Sequence, residues 1–258
     1  MYKIIFIGNS PTSGKMKSIE VERGDTIKLP KNKFRRKGFK FVGWSLERND
    51  KVYMKHFQLG KVKYKNGEEV KNLAKDGETI RLYACWKGYG AEAAALWAIL
   101  IAKNNKFNYG TGKRSHHNGC YFCNTNVTGI KHAKPGSAWD YTYCCNPFVW
   151  AAWVHGANLF ERCKDSGLSV KWWLKQKHKG RFIFKKIGRN VKYSTLKKGD
   201  CLVKNNRHII MFVGKTSKGN YRLAQARREG WDKGSIAVTH PKHKRIGMDY
   251  VAIRFKGR

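Results

Sequence analysis

Acidic residues are scarce in this chain. Its 258 residues include 17 Asp and Glu against 54 Lys and Arg, which gives a formal net charge of +37 at pH 7. Residues 1–88 carry a net charge of +12, and the remainder carries +25. Such a surface attracts polyanions, whether nucleic acid, an anionic membrane or an anionic wall polymer, and the charge alone does not choose among them.

Long apolar runs are also missing. The longest, Ala91–Ala102, is well short of the roughly 20 residues that a membrane-spanning helix needs, so no transmembrane segment is predicted. The first residues, MYKIIFIGNSPTSGK, have too short an apolar core for a signal peptide and lack a small-residue cleavage pattern. They predict a β-strand instead. We therefore expect a protein that is made in the cytoplasm without an export signal.

A disulfide framework is not expected either. The seven cysteines are odd in number and scattered, which indicates thiols in a reducing compartment with at most one local pair. In HHNGCYFC, the residues His116, His117, Cys120 and Cys123 have a spacing that could supply three or four zinc ligands. Because neither a second CxxC nor a C-terminal HxxxH stands close by, a metal site, a local disulfide and plain loop residues all stay open. No cofactor is predicted.

The patterning of the chain predicts two domains, 1–88 and 89–258. The first consists of short β-branched and aromatic runs divided by turn residues, which is typical of a small β-rich domain. In the second, helical spacing over 91–103 and again from about Asn146 is followed by five or six strand-length runs. This order predicts an α+β domain with helices packed on one antiparallel sheet. Residues 111–142 are polar and aperiodic, and predict a long loop or insertion.

One cysteine lies at the predicted start of a buried helix. In YCCNPFVWAAWVHG, Pro147 suits a first helical turn, and apolar residues continue at helical spacing through Phe160 and Cys163 to a stop near Gly167. Cys145 would then lie at the positive end of the helix, where the macrodipole favours a thiolate. A further helix is predicted over 169–180.

A cysteine nucleophile needs a base and a third group that orients the base. His208 opens the predicted strand RHIIMFVG, where alternation puts it on one face with Ile210 and Phe212. Gln225 lies on the next strand, and its amide can accept a hydrogen bond from the ring of His208 and fix the tautomer. We therefore predict Cys145, His208 and Gln225 as the catalytic residues. The alternative is a buried core thiol and a strand histidine with ordinary partners.

Residues 1–88 resemble the internalin-type B-repeat, a β-grasp-like module of bacterial surface proteins. The matching landmarks, in order, are Leu29-Pro30, Phe41, Gly43-Trp44, Leu73, Gly77, Leu82-Tyr83-Ala84 and Trp86. The resemblance implies a β-grasp-like fold. It leaves two roles open, a structural spacer or a targeting module whose basic face binds the bacterial envelope.

Residues 89–258 resemble the NlpC-type family of cell-wall cysteine peptidases and amidases, which is papain-like and related to CHAP domains. The segments that carry the likeness are 107–110, 144–149, 196–203, 208–214, Gln225-Ala226 and 250–254. The resemblance implies Cys145 rather than Cys144 as the nucleophile, His208 as the base, Gln225 as the third polar residue, and Tyr109 as a substrate-binding residue. Cys144 replaces the family's usual aspartate, and Asn146-Pro147 replaces Ser-Gly.

Together the two resemblances imply a peptidoglycan hydrolase that cleaves an amide bond of the stem peptide through a thioacyl intermediate. The expected setting is a phage endolysin that is released through a holin pore or acts on the cell from outside. Peptidoglycan would be the substrate, and anionic wall polymers or phospholipid would be further partners of the cationic surface. The alternatives are a catalytically inactive cationic surface-binding protein and a nucleic-acid-binding protein, although no recognised nucleic-acid motif is present.

Overall fold

The computed structural model describes residues 1–48, 51–104, 119–120, 125–126, 145–159, 173, 177–178, 181–204, 207–228 and 234–257. The chain divides into two compact units, Met1–Tyr89 and Gly90–Arg258, one residue beyond the boundary expected from the sequence. The architecture is α+β. The first unit contains a mixed sheet, and in the second a helix packs against a six-stranded antiparallel sheet.

The secondary-structure elements described in the first unit are all strands. They are β1 (Tyr2–Ile7), β2 (Ile19–Val21), β3 (Thr26–Lys28), β4 (Phe39–Ser45), β5 (Val52–Tyr53), β6 (Gln58–Leu59), β7 (Glu69–Lys71) and β8 (Thr79–Gly88). The main sheet has the order β2-β1-β8-β6-β5, with β4 also paired to β8. The β1–β8 pairing is parallel and the others are antiparallel. Strands β3 and β7 form a separate antiparallel pair.

The core of the first unit is rich in aromatic side chains, and it contains several of the landmark residues of the sequence. Alternate residues of β1 are buried, and Trp44 and Trp86 are fully buried. The Trp86 indole donates a hydrogen bond to the carbonyl of Gly8 at 2.9 Å, which satisfies its one polar group. Gly43 has a φ of +149°, and a Cβ there would lie 2.5 Å from a methyl carbon of Val62. Glycine is therefore required where β4 bulges against β8.

The described residues of the second unit form helical segments, two short strand pairs and one large sheet. The elements are α1 (Ala91–Ala102), β9 (Gly119–Cys120), β10 (Thr125–Asn126), α2 (Cys145–Ala151) continued by a π-helix (Ala152–Gly156), β11 (Lys177–His178), β12 (Arg181–Phe182), β13 (Phe184–Arg189), a 3-10 helix (Tyr193–Thr195), β14 (Cys201–Lys204), β15 (His208–Lys215), β16 (Tyr221–Arg228), β17 (Gly234–Thr239) and β18 (Tyr250–Phe255). The large sheet has the order β13-β18-β14-β15-β16-β17 and is antiparallel throughout. The prediction of helices followed by an antiparallel sheet is confirmed.

Both faces of the large sheet are covered, which explains the continuous apolar run of β15. Ile210 and Phe212 belong to a buried cluster with neighbours from the adjoining strands and from the segments around the 3-10 helix: Tyr193, Leu196, Leu202, Leu223, Ile246 and Ala252. Ile209, Met211 and Val213 alternate onto the other face and are also buried. Helix α1 contacts β15, β16 and β17, and α2 contacts β15 and β16.

The predicted end of the cysteine helix is wrong. The helix begins at Cys145, one residue before the expected start, but it ends at Gly156 instead of near Gly167. The backbone turns there because Asn158 has a φ of +49°, in the left-handed region, and the N–H of Leu159 bonds to the carbonyl of Trp153. Phe160, Cys163 and Gly167 lie outside the described residues.

Two further expectations from the sequence need correction in part. The helix predicted over 169–180 is wrong at its C-terminal end, because Lys177–His178 pairs antiparallel with Arg181–Phe182. Most of that segment lies outside the described residues. The insertion predicted over 111–142 contains one antiparallel pair, β9 with β10, and the remainder of it is likewise not described. Within the described part of the chain, no helix has the length and apolarity that a membrane span requires.

Candidate active site

The Cys145 thiol lies where the start of α2 meets the start of β15. Cys145 is the first residue of α2 and is partly exposed. Its sulfur interacts with the backbone of Ile209, and also with the backbone of Asn146 and of Cys145 itself, through hydrogen bonds that favour the thiolate. Because Ile209 follows His208 directly, this contact brings the thiol to the strand position that carries the predicted base.

The pKa of Cys145 is raised, contrary to the expectation of a lowered one. Burial of the thiol raises the pKa, and the hydrogen bonds from the three backbone groups offset this effect only in part. The expectation was wrong because it took account of the helix macrodipole but not of the burial of the side chain. Cys145 alone therefore rests as a thiol at neutral pH, and a neighbouring base must remove its proton before it can act as a nucleophile.

The structure brings His208 and Gln225 into direct contact. Nε2 of His208 lies 2.9 Å from Oε1 of Gln225, across the neighbouring strands β15 and β16. His208 is half-buried and Gln225 is buried. Since an amide oxygen only accepts, Nε2 must carry the proton, and a neutral His208 ring then has Nδ1 free as a base. The hydrogen bond expected between the two side chains is present.

Asn146 connects the start of α2 to the aromatic core through a hydrogen bond. Trp173 donates its indole N–H to Oδ1 of Asn146 at 2.8 Å. The Trp173 ring is fully buried and packs edge-on against Trp150 and Phe184, with ring centroids 5.3 and 5.4 Å away. In the sequence, Asn146 is seen only as a replacement for the family's serine. No local pattern links it to a tryptophan so far along the chain.

The segment 196–203 meets the segment 250–254 in a buried ion pair. Arg254 binds both carboxylate oxygens of Asp200, at 2.9 Å from Nε and 2.6 Å from Nη2, and also donates to the carbonyl of Thr195. Asp200 additionally accepts from the backbone N–H of Lys197. Gly199 has a φ of +87°, and a Cβ there would lie 2.7 Å from Cβ of Ala91 in α1. These two segments therefore have a structural role.

Tyr250 is a neighbour of the thiol that the sequence does not single out as functional. The pKa of Tyr250 is raised by burial, by the Asp249 carboxylate and by the charge that Cys145 would carry as a thiolate. Lys204 pairs in register with both Tyr250 and His208, so the three residues form a row across β18, β14 and β15. Lys204 itself is bound to Asp249 at 2.9 Å. The row borders the position of Cys145.

Cys145 is the accessible thiol among the cysteines whose side chains are described. Cys85 and Cys201 are fully buried. Burial raises the pKa of Cys201 far above that of an ordinary thiol. Buried thiols of this kind are inert, so a reagent that attacks thiolates should reach Cys145 before either of them.

Several residues that the sequence analysis singles out lie outside the described residues. They are Tyr109, His116, His117, Cys123 and Cys144, while Cys120 is described only through its backbone in β9. The zinc and disulfide hypotheses for HHNGCYFC therefore stay predictions. Among the residues that are described, no group of three or more His, Cys, Asp or Glu side chains is arranged to hold a metal ion.

In comparisons with known proteins, no family model, no curated protein and no solved structure matches this chain.

Proposed function

We propose that the protein is a cysteine hydrolase of the papain-like, NlpC type that cleaves an amide bond of bacterial peptidoglycan. The observation that carries the proposal is the 2.9 Å contact between His208 and Gln225, at the start of a strand against which the helix that begins with Cys145 packs. A thiol, an imidazole and a side-chain amide in this order are the parts that nucleophilic catalysis by cysteine requires. The substrate class rests on the sequence resemblance.

In the proposed reaction, Nδ1 of His208 takes the proton of Cys145. The thiolate attacks the amide carbonyl carbon, a C–S bond forms, and the carbonyl oxygen becomes an oxyanion that backbone N–H groups at the start of α2 stabilise. The imidazolium then protonates the departing nitrogen as the C–N bond breaks. Water, deprotonated by His208, attacks the thioester, and cleavage of the C–S bond returns the thiol. The bond would be either the muramoyl–L-alanine amide or an amide within the stem peptide.

The cleaved bond can be identified from the products. Purified sacculi would be digested with the wild-type protein and with Cys145→Ala, and the new termini identified by mass spectrometry. New termini are expected from the wild type alone. If neither protein produces them, the protein is a cationic surface-binding or nucleic-acid-binding protein instead. Lysis of intact cells by both proteins without new termini would indicate membrane disruption by charge.

For the first unit we propose a β-grasp-like targeting module that binds an anionic polymer of the cell wall. A cavity of about 550 Å³ supports this, because its lining includes the three lysines Lys15, Lys17 and Lys33 together with Met16, Ile19 and Pro30. Lysines favour the phosphate or carboxylate groups of a polymer, and the apolar lining residues suit the carbon skeleton between those groups.

Neutralising the cavity is expected to weaken wall binding. Full-length protein with Lys15, Lys17 and Lys33 changed to Gln should bind purified walls several-fold more weakly than the wild type, and the difference should shrink at high salt because exposed charges are screened. The matched control changes the exposed Lys51, Lys63 and Lys71 of the same unit to Gln. Equal weakening by both triple variants would assign binding to net charge alone. Walls stripped of anionic polymer should bind all three proteins equally.

A further inference from the structure

Gln225 has a second partner besides His208. Its Nε2 donates to Oγ1 of Thr239 at 2.9 Å. Thr239 is the last residue of β17 and pairs in register with Leu223 of β16. The same hydroxyl oxygen lies 3.5 Å from the carbonyl oxygen of Leu223. The two ends of the Gln225 amide are therefore both engaged, the oxygen by the imidazole and the nitrogen by the threonine.

Thr239 determines which end of the amide faces His208. A hydroxyl has one proton to give and two lone pairs that accept. When the proton is directed at the Leu223 carbonyl, the oxygen of Thr239 can only accept from Gln225, so the NH₂ end of the amide must turn toward β17. The carbonyl end then faces β15, where it accepts from Nε2 of His208 at 2.9 Å.

The opposite orientation of the amide would disable the base. With its NH₂ group toward His208, Gln225 would need Nε2 of the ring as an acceptor. The single proton of a neutral imidazole would then lie on Nδ1, and that nitrogen could not take the proton of Cys145. The orientation of one side-chain amide thus decides between a competent and an incompetent tautomer.

We propose that Thr239 is a positioning residue that acts through Gln225 and keeps His208 in the Nε2–H tautomer. The proposal rests on the proposed function, because His208 is the base of that reaction. The hydrogen bonds of Thr239 go to Gln225 and to Leu223, not to the thiol or the imidazole. The effect of Thr239 depends on one hydrogen bond. A substitution that keeps the shape of the side chain but removes the hydroxyl therefore separates this effect from packing.

The test compares Thr239→Val with Thr239→Ser in the full-length protein. Valine keeps the shape and the strand preference of threonine but lacks the hydroxyl, whereas serine keeps the hydroxyl. We expect Thr239→Val to lower kcat on peptidoglycan by roughly 10- to 100-fold with little change in KM, as loss of a supporting hydrogen bond commonly does. Thr239→Ser should recover most of kcat, and nitrogen NMR of His208 should report a rise of the Nδ1–H tautomer in Thr239→Val alone.

Two outcomes would overturn the proposal. One is a Thr239→Val protein with wild-type kcat and an Nε2–H ring. The other is an equal loss of kcat in both variants together with a lower Tm, which would assign Thr239 a merely structural role. Failure of the proposed function is distinguishable, because a wild-type protein without hydrolase activity still yields the tautomer of His208 by NMR.

Discussion

Replacing His208 with alanine is expected to lower hydrolysis of peptidoglycan by at least about 10³-fold while leaving the fold intact. Burial raises the pKa of Cys145, so the thiol does not ionise unaided at neutral pH. Without the imidazole, the described part of the site offers no other base for the proton of the thiol. His208 is the first residue of β15 and is only half-buried, so its removal should cost little stability. The measurement is the initial rate of release of new termini from sacculi, together with Tm.

A matched control for His208→Ala is His243→Ala, an exposed histidine of the same unit. It should keep the wild-type rate. The pH dependence gives a further criterion, since the residual rate of His208→Ala should keep rising with pH until the raised pKa of the Cys145 thiol is passed. The wild-type rate should level off at lower pH, where His208 already serves as the base. A His208→Ala protein with the wild-type rate and pH profile would remove His208 from the mechanism.

The second large effect concerns stability. Replacing Arg254 with methionine is expected to lower the free energy of unfolding by about 3–5 kcal/mol, because it leaves a buried carboxylate without its counter-charge. Asp200 is 1% exposed, and Arg254 supplies two of its hydrogen bonds. Equilibrium unfolding in urea measures the change. Arg245→Met is the control, since Arg245 is exposed and donates a single described hydrogen bond, to the carbonyl of Asn190.

A double variant separates the loss of the pair from the loss of packing. Asp200→Asn combined with Arg254→Met removes both charges, and replacement of both partners of a buried pair is often close to neutral. The double variant should therefore recover a large part of the stability that Arg254→Met loses. A loss in Arg254→Met no larger than in Arg245→Met would show that the ion pair does not stabilise the sheet.

The elements of the second unit were largely predictable because their patterns are local. The alanine-rich α1 and the strands β13 to β18 have recognisable local sequence patterns, and β14 to β17 are neighbours in the sheet in chain order. The contact of His208 with Gln225 was predictable for the same reason, since adjacent antiparallel strands present same-face residues to each other. The place of β18 between β13 and β14 was not predictable, because it pairs distant segments of the chain. In the first unit, the parallel pairing of β1 with β8 was not predictable, because a pairing between segments far apart in the chain leaves no local sequence pattern.

The features that could not be predicted from the sequence depend on tertiary packing. The raised pKa of Cys145 comes from burial of the thiol, which no spacing of residues encodes. The end of the helix at Gly156 was hidden by apolar spacing that continues past it, and only the left-handed Asn158 marks it. Thr239 has no motif around it, and its contact with Gln225 exists only because β16 and β17 pair in one register.

The rate at which iodoacetamide alkylates Cys145, followed by peptide mapping across a range of pH, tests the central claim most directly. In the wild type we predict modification of Cys145 at neutral pH, faster than of Cys85 or Cys201, with hydrolysis of peptidoglycan lost in the same proportion. In His208→Ala, alkylation of Cys145 should require a higher pH, because the thiol is then deprotonated only by solvent. Complete alkylation of Cys145 with undiminished hydrolysis would contradict the account.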